Sequence, residues 1–240
     1  MSVTPYSDDR SKREQVERMF DAISPKYDLL NRVFSMGVDQ GWRRKVIAQV
    51  ASGKVHHLLD VATGTGDLAI MAARKLPHTA ITGVDISEGM LEHGRAKVAK
   101  LGLQQRITLQ QADSAALPFA DGSFDAVTVA FGVRNYENLE QGLREMIRVL
   151  RPGGRLFVLE FSKPQRTPMR QLFRFYFHRV MPLVGRLVSK DHAAYTYLPQ
   201  SVDAFPEGQR FLELLAKAGG QEATARPLTG GIATLYTTRK

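Results

Sequence analysis

The stretch Leu58-Leu59-Asp60-Val61-Ala62-Thr63-Gly64-Thr65-Gly66-Asp67 constrains this chain more than any other. Its apolar run is short, carries one acid, and leads into a Gly-x-Gly turn and a helical pattern. That reads as a buried strand entering a helix. The free N–H groups and dipole of the helix then face the strand's carboxyl end. In an open parallel α/β sheet, that edge is where ligands bind. Glycine lets the backbone approach a ligand closely. Gly64-x-Gly66-x-x-Ala69 also fits the dinucleotide fingerprint, so the loop alone leaves a structural turn and a dinucleotide site both open.

Around this stretch the pattern alternates. Strand His57–Ala62 precedes helix Gly66–Leu76, and strand Thr79–Val84 precedes a helix capped by Ser87 that runs to about Leu101. Strands Arg106–Gln111 and Phe124–Phe131, helix Leu139–Leu150, a Pro-Gly-Gly turn and strand Arg155–Phe161 follow. This alternation predicts a parallel sheet with helices on both faces. Before it, Ser11-Lys12-Arg13-Glu14 has capping-box spacing, and helical patterns run to residue 55. These helices sit either over the sheet's carboxyl edge or behind it. After it, residues 162–205 break the rhythm and read as a helical lid, with Pro164, Pro168 and Pro182. Helix Glu207–Ala218 and a hairpin of Glu222–Arg226 with Ile232–Thr238 close the chain. The expectation is one domain over 1–240: a helical cap (1–55), a core (56–161), the lid (162–205), and a closing helix and hairpin (206–240).

Composition removes several chemistries. With no cysteine, disulfides, thiolate metal sites and cysteine nucleophiles are excluded. No long uncharged apolar stretch predicts a spanning helix. Met1 to Arg13 lacks a signal core, which points to the cytoplasm. The net charge of +9 favours an anionic partner or a dispersed basic surface.

Acids recur at strand ends. Asp85 follows Gly64 by 21 residues and is placed to accept both hydroxyls of a ribose, or to cap a helix. Asp113 follows the third strand and is placed to accept an adenine amine. Asp60, inside the first strand, suits a cationic ligand group such as a methionine ammonium rather than a pyrophosphate.

Leu58–Asp67, Asp85, Asp113-Ser114, Phe124-Asp125 and Arg151-Pro-Gly-Gly154 resemble the motifs of class I S-adenosylmethionine-dependent methyltransferases. Phe20–Asn31, Phe131-Gly-Val-Arg-Asn135, Leu159–Pro164 and Thr229–Ala233 narrow the resemblance to the quinone-biosynthesis C-methyltransferases. The resemblance implies an α/β, Rossmann-like seven-stranded methyltransferase sheet. It implies S-adenosylmethionine as methyl donor and a ring carbon of a polyprenylated quinol as acceptor. Demethylmenaquinol is preferred, with a benzoquinol of ubiquinone biosynthesis as the alternative. By match, cofactor contacts fall on Thr65, Asp85, Asp113 and Ser114, beside Asp60, Gly64 and Gly66. Two positions depart from the pattern. Ala62 replaces the usual first glycine, and Ala130 replaces a serine, so any side-chain hydrogen bond there is lost.

A ring carbon becomes nucleophilic when a neighbouring phenol, of pKa near 10, is deprotonated. Arg134 is too basic to take that proton, but it can hold the oxyanion or orient a water. Asn135 can orient the quinol oxygen, and Tyr27 and Asp28 can complete the hydrogen-bond chain. No metal is expected, since no ligand cluster stands in the sequence.

Residues 166–188 predict a basic amphipathic segment. Arg166, Arg170, Arg174 and His178 fall on one side. Met169, Leu172, Phe173, Tyr176, Phe177, Val180, Val184, Leu187 and Val188 fall on the other. It reads as a core lid or as a contact with an anionic membrane surface, peripheral at its inner face. A homodimer is left open. An NAD-linked oxidoreductase lacks a Tyr-x-x-x-Lys pair here. A nucleic-acid methyltransferase, suggested by the net charge, lacks the Asn-Pro-Pro-Tyr motif of base-flipping amino methylases, so no nucleic acid is expected and an RNA methyltransferase stands as the more distant alternative. A non-catalytic cofactor-binding module is the remaining rival.

Overall fold

The computed structural model describes residues 3–35, 37–180 and 192–240. Its strands are β1 (His57–Val61), β2 (Ala80–Asp85), β3 (Ile107–Gln111), β4 (Phe124–Ala130), β5 (Leu150–Phe161), β6 (Gln221–Leu228) and β7 (Ala233–Arg239). They form one sheet of order β3-β2-β1-β4-β5-β7-β6. The first five strands are parallel, and β7 runs antiparallel to both β5 and β6. The order reverses between β1 and β4, which opens a crevice at their carboxyl ends.

The helices are α1 (Lys12–Ile23), α2 (Tyr27–Ser35), α3 (Val38–Val50), α4 (Asp67–Lys75), α5 (Glu88–Lys100), α6 (Leu139–Arg148), α7 (Met169–Phe175), α8 (His192–Ala204) and α9 (Gln209–Lys217). Strand β1 shows why it reads as a continuous apolar run: both of its faces are covered. Leu58 packs with Val46, Ile47 and Leu68 on one side, while Leu59 and Val61 pack with Leu143, Met146 and Phe211 on the other.

The N-terminal helices take both of the positions left open by the sequence. Helix α3 packs behind the sheet, where Trp42, Val46, Ile47 and Val50 join the core beside α4. Helices α1 and α2 lie over the carboxyl edge, and α1 starts from the expected capping box of Ser11 and Glu14. Strand β5 starts earlier than expected. Leu150 already pairs with Phe124, and residues 151–154 bulge before Arg155 pairs with Ala126. Gly153 makes that bulge with φ 76°.

The lid corrects one expectation. Phe173 and Phe177 are buried and stack with ring centroids 4.2 Å apart. Leu172 and Phe175, however, are 60% and 62% exposed. Among the described residues, the buried and partly buried apolar neighbours of this helix (Phe161, Val202 and Ile232) gather along the Phe173–Phe177 seam. Arg166, Arg170 and Arg174 are exposed, as their spacing predicts. Pro182, Val184, Leu187 and Val188 lie outside the described residues.

Candidate active site

The β1–α4 turn is built on left-handed residues: Ala62 has φ 52°, Gly64 56° and Gly66 77°. The last two are glycines, for which this region carries no Cβ penalty, but Ala62 bears it. Its methyl also fills the space over Gly132, where an added Cβ would come within 2.5 Å of it. Ala62→Gly is therefore expected to raise unfolding free energy by about 0.5–1 kcal/mol, the left-handed cost less the added chain entropy. Denaturant titration of both proteins checks this.

Gly64, Asp85, Asp113 and Ser114 line one cleft of about 130 Å³ at the crevice. Asp85 is buried at the end of β2 and accepts the N–H of Gly64 at 2.7 Å and of Ser87 at 3.0 Å. Burial pushes its pKa up, opposed by these N–H groups. The helix cap is Ser87, whose Oγ accepts the Met90 N–H, so Asp85 is not needed for that role. Asp113 accepts the Ala115 N–H at 2.8 Å and meets Arg13 of α1 at 3.2 Å.

Two of the expected cofactor contacts, Thr65 and Asp60, line a space beside this cleft rather than the cleft itself. Thr65 does not line the cleft: its hydroxyl donates to Asp28 at 2.6 Å and accepts from Lys97 at 2.9 Å. Asp28 is held there by Lys97 at 2.8 Å and lines neither the cleft nor the larger cavity beyond Tyr27. Asp60 is buried below the cleft. It accepts the hydroxyls of Thr63 at 2.7 Å and Thr128 at 2.8 Å. Burial pushes its carboxyl up to about 6. Asp60 and Thr65 do line a small polar cavity of about 20 Å³, which shares Tyr27, Ala62, Gly64 and Ala130 with the cleft.

A second, larger cavity of about 520 Å³ opens on the other side of Tyr27. Phe20, Tyr27, Phe131 and Asn135 border both it and the cleft. Its walls are apolar, from Trp42, Phe161, Phe173 and Phe177 among others. Strand β4 ends in Phe131 at φ 62°, and the short helical turn Val133–Asn135 carries Arg134 and Asn135 to the cavity wall.

Arg134 is buried against Glu160 at the end of β5, with Nη1 2.9 Å from Oε1. It also donates to the Phe131 carbonyl and lies over the Phe161 ring. Three polar atoms of residues that line this cavity, Arg134 Nε, Asn135 Oδ1 and Tyr197 Oη, are buried and have no hydrogen-bond partner among the described residues. Buried polar groups are ordinarily paired, so the three are exceptions gathered in one cavity wall. Burial pushes the Tyr197 phenol up to about 12 and raises that of Tyr27, so both are donors at neutral pH.

Sequence reasoning missed Glu160, Tyr197, Arg43 and Lys12. Glu160 stood in the quoted Leu159–Pro164 motif, and an acid within an apolar strand was its signal. Lys12 donates to the carbonyls of Arg134 and Tyr136, both at 3.1 Å, and so holds α1 onto the Val133–Asn135 turn. Burial lowers its pKa to about 8.

The fold is shared with solved methyltransferase structures. Phosphoethanolamine N-methyltransferase 2 of Haemonchus contortus, in complex with S-adenosyl-L-methionine, superposes with TM-score 0.70 at 15% identity, over 96% of this chain and 60% of that one. The [4+2]-cyclase SpnF superposes with TM-score 0.64 at 20% identity, over 96% of both. That second likeness shows that the fold alone does not fix the reaction. Sequence relatives are far nearer. Demethylmenaquinone methyltransferase of Bacteroides fragilis is 49% identical over 238 residues, 99% of this chain and 97% of that protein. Ubiquinone/menaquinone biosynthesis C-methyltransferase UbiE of Geobacter sulfurreducens is 48% identical, over 95% of this chain and 90% of that protein. The pattern of the ubiE/COQ5 methyltransferase family matches residues 8–240, from the segment before α1 through β7, and the chain belongs to that family.

Proposed function

We propose that this protein is an S-adenosylmethionine-dependent C-methyltransferase that converts demethylmenaquinol to menaquinol. The observation that carries the reading is the junction of two unlike spaces at Tyr27, Phe131 and Asn135: a cleft of mixed lining with acids at two strand ends, and a larger apolar cavity whose wall residues carry unpaired polar atoms. The donor set of the cleft suits adenosine, with Asp85 for the ribose and Asp113 with Ser114 for the base. It does not suit a pyrophosphate. Arg13 is the only cation lining the cleft among the described residues, and it is paired with Asp113. The apolar cavity falls within the volume range of small-molecule sites and suits a ring bearing an isoprenoid chain.

S-adenosylmethionine, when bound, supplies a methyl group on a positively charged sulfur. Tyr27, Phe131 and Asn135 bring the acceptor ring against the cleft. Arg134 holds the ring oxygen as negative charge develops on it, an arrangement that stabilises the transition state more than the neutral quinol. Glu160 fixes the guanidinium without lining the cavity, so it is a positioning residue. Tyr197 donates to a ring oxygen. The apolar walls exclude water and strengthen each of these interactions.

Incubation of the purified protein with methyl-labelled S-adenosylmethionine and each reduced quinol, followed by analysis of the ring, tests the assignment. Label on demethylmenaquinol supports it. Label only on the benzoquinol moves the protein to the ubiquinone branch. Label on neither overturns the reading.

We also propose that the quinol is taken from an anionic membrane surface. No helix among the described residues is long and apolar enough to cross a membrane. Leu172 and Phe175 line the apolar cavity while standing exposed, and Leu29 is 59% exposed. Arg170, Arg174 and Arg179 are exposed on the same segment. Each cation near an anionic surface contributes about 1 kcal/mol. Flotation with anionic vesicles is expected at low salt and is lost at high salt or in the Arg170→Gln, Arg174→Gln, Arg179→Gln triple variant. Equal flotation of the variant counts against this surface.

A further inference from the structure

Arg43 has no place in the chemistry so far. It projects from α3 and is 8% exposed. Its hydrogen bond is made by Nε, to Asp39 Oδ2 at 3.4 Å, the outer limit of such a contact. Asp39 is not free to do more. Its carboxylate also accepts Ser35 Oγ at 2.6 Å and Gln40 Nε2 at 3.1 Å. The Arg43 guanidinium lies 5.4 Å from the centroid of the Phe131 ring. Its two terminal nitrogens have no hydrogen-bond partner among the described residues.

A buried guanidinium with its fork unfilled calls for an anion, and a planar fork matches a carboxylate. Arg43 lines the small polar cavity together with Asp60, Thr63 and Gly64. That space, about 20 Å³, holds about one water by itself. It shares four wall residues with the adenosine cleft, so it takes the end of a longer molecule lying there. Its lining carries one cation, Arg43, and two carboxylates, Asp60 and Asp67. Asp67 is already held by Lys97 at 2.5 Å, so Arg43 and Asp60 remain as the complement of a zwitterionic amino-acid head.

We infer that Arg43 binds the α-carboxylate of the methionine portion of S-adenosylmethionine, opposite Asp60. This deepens the cofactor reading above and rests on it. The pair sorts ligands by their amino-acid end, and the buried position makes that sorting strong. Arg43 also borders the apolar cavity, so a quinol oxygen is the competing occupant.

Binding calorimetry with two non-reactive thioethers separates these. S-adenosylhomocysteine carries the carboxylate, and S-adenosyl-3-thiopropylamine is the same molecule without it. Wild type is expected to prefer the first by about ten- to a hundredfold, the range of one charge-assisted pair. Arg43→Gln is expected to bind both about equally, at the weaker affinity. Arg43→Lys keeps the charge without the fork and is expected to retain part of the preference; it serves also if Arg43→Gln fails to fold. A preference that survives intact in either variant overturns the assignment, the more so if the quinol KM rises instead. Failure of wild type to bind S-adenosylhomocysteine at all overturns the cofactor reading and this inference with it.

Discussion

Arg134→Ala is expected to lower turnover by about a hundredfold or more, the range for losing a preorganised donor at a developing oxyanion. Its cofactor affinity should change little, because Arg134 lines the apolar cavity and not the adenosine cleft. Stability falls as well. Glu160 has no exposure, and its carboxylate loses its cationic partner. Breaking a buried pair from one side costs about 3–5 kcal/mol. Burial already raises the Glu160 pKa, and the charge of Arg134 is what opposes the rise. In the variant that opposition is gone, so the folded state binds a proton more readily than the unfolded chain. The lost stability therefore returns as pH falls through the raised value and is missing above it. The double variant Arg134→Ala, Glu160→Gln removes the charge altogether. It is expected to recover much of the stability at pH 8 and none of the turnover. Denaturant unfolding at pH 5.5 and 8, with turnover measured beside it, separates the two roles. Unchanged turnover in Arg134→Ala would falsify the oxyanion role.

Asp85→Ala should weaken S-adenosylmethionine by at least about tenfold, since each charge-assisted hydrogen bond to a ribose hydroxyl contributes about 1.5–3 kcal/mol. The same carboxylate also accepts the N–H groups of Gly64 and Ser87. Removing it leaves two backbone donors without their acceptor and loosens the turn as well as the ribose. Asp85→Asn keeps an acceptor oxygen and the side-chain volume and should fall between wild type and alanine. Calorimetry with S-adenosylhomocysteine reads both losses, and NAD should not bind wild type. Tight NAD binding, together with full affinity of Asp85→Ala for the thioether, contradicts the cleft assignment.

Strands β1, β2 and β4 were legible because each is a largely apolar run ending in an acid or a turn, and that pattern is a property of single segments. Asp85 and Asp113 were legible for the same reason: position at a strand end decides where a side chain goes. Thr65 was not, because its direction depends on the left-handed glycines flanking it. Whether Leu172 would be buried depended on neighbours from β5 and α8, which helical periodicity does not contain. Glu160 and Arg134 sit 26 residues apart and meet only because β4 and β5 are adjacent. Arg43 looked like one more cation in a basic helix, and only the cavity beside Asp60 distinguishes it.

The adjacent residues Tyr27 and Asp28 open α2 and face different spaces. Tyr27 stands between the two cavities, while Asp28 is tied through Thr65 and Lys97 to the glycine turn, and Lys97 reaches Asp67 at 2.5 Å. A shift of α2 to admit a bulky ring therefore pulls on the loop that holds adenosine. Such a strut predicts an energetic link between the two substrates, and a link of that kind is reciprocal: whatever factor the quinol imposes on thioether affinity, the thioether imposes on the quinol. Asp28→Ala removes the bonds to both Thr65 and Lys97 and is expected to abolish the linkage, read as thioether affinity with and without bound quinol.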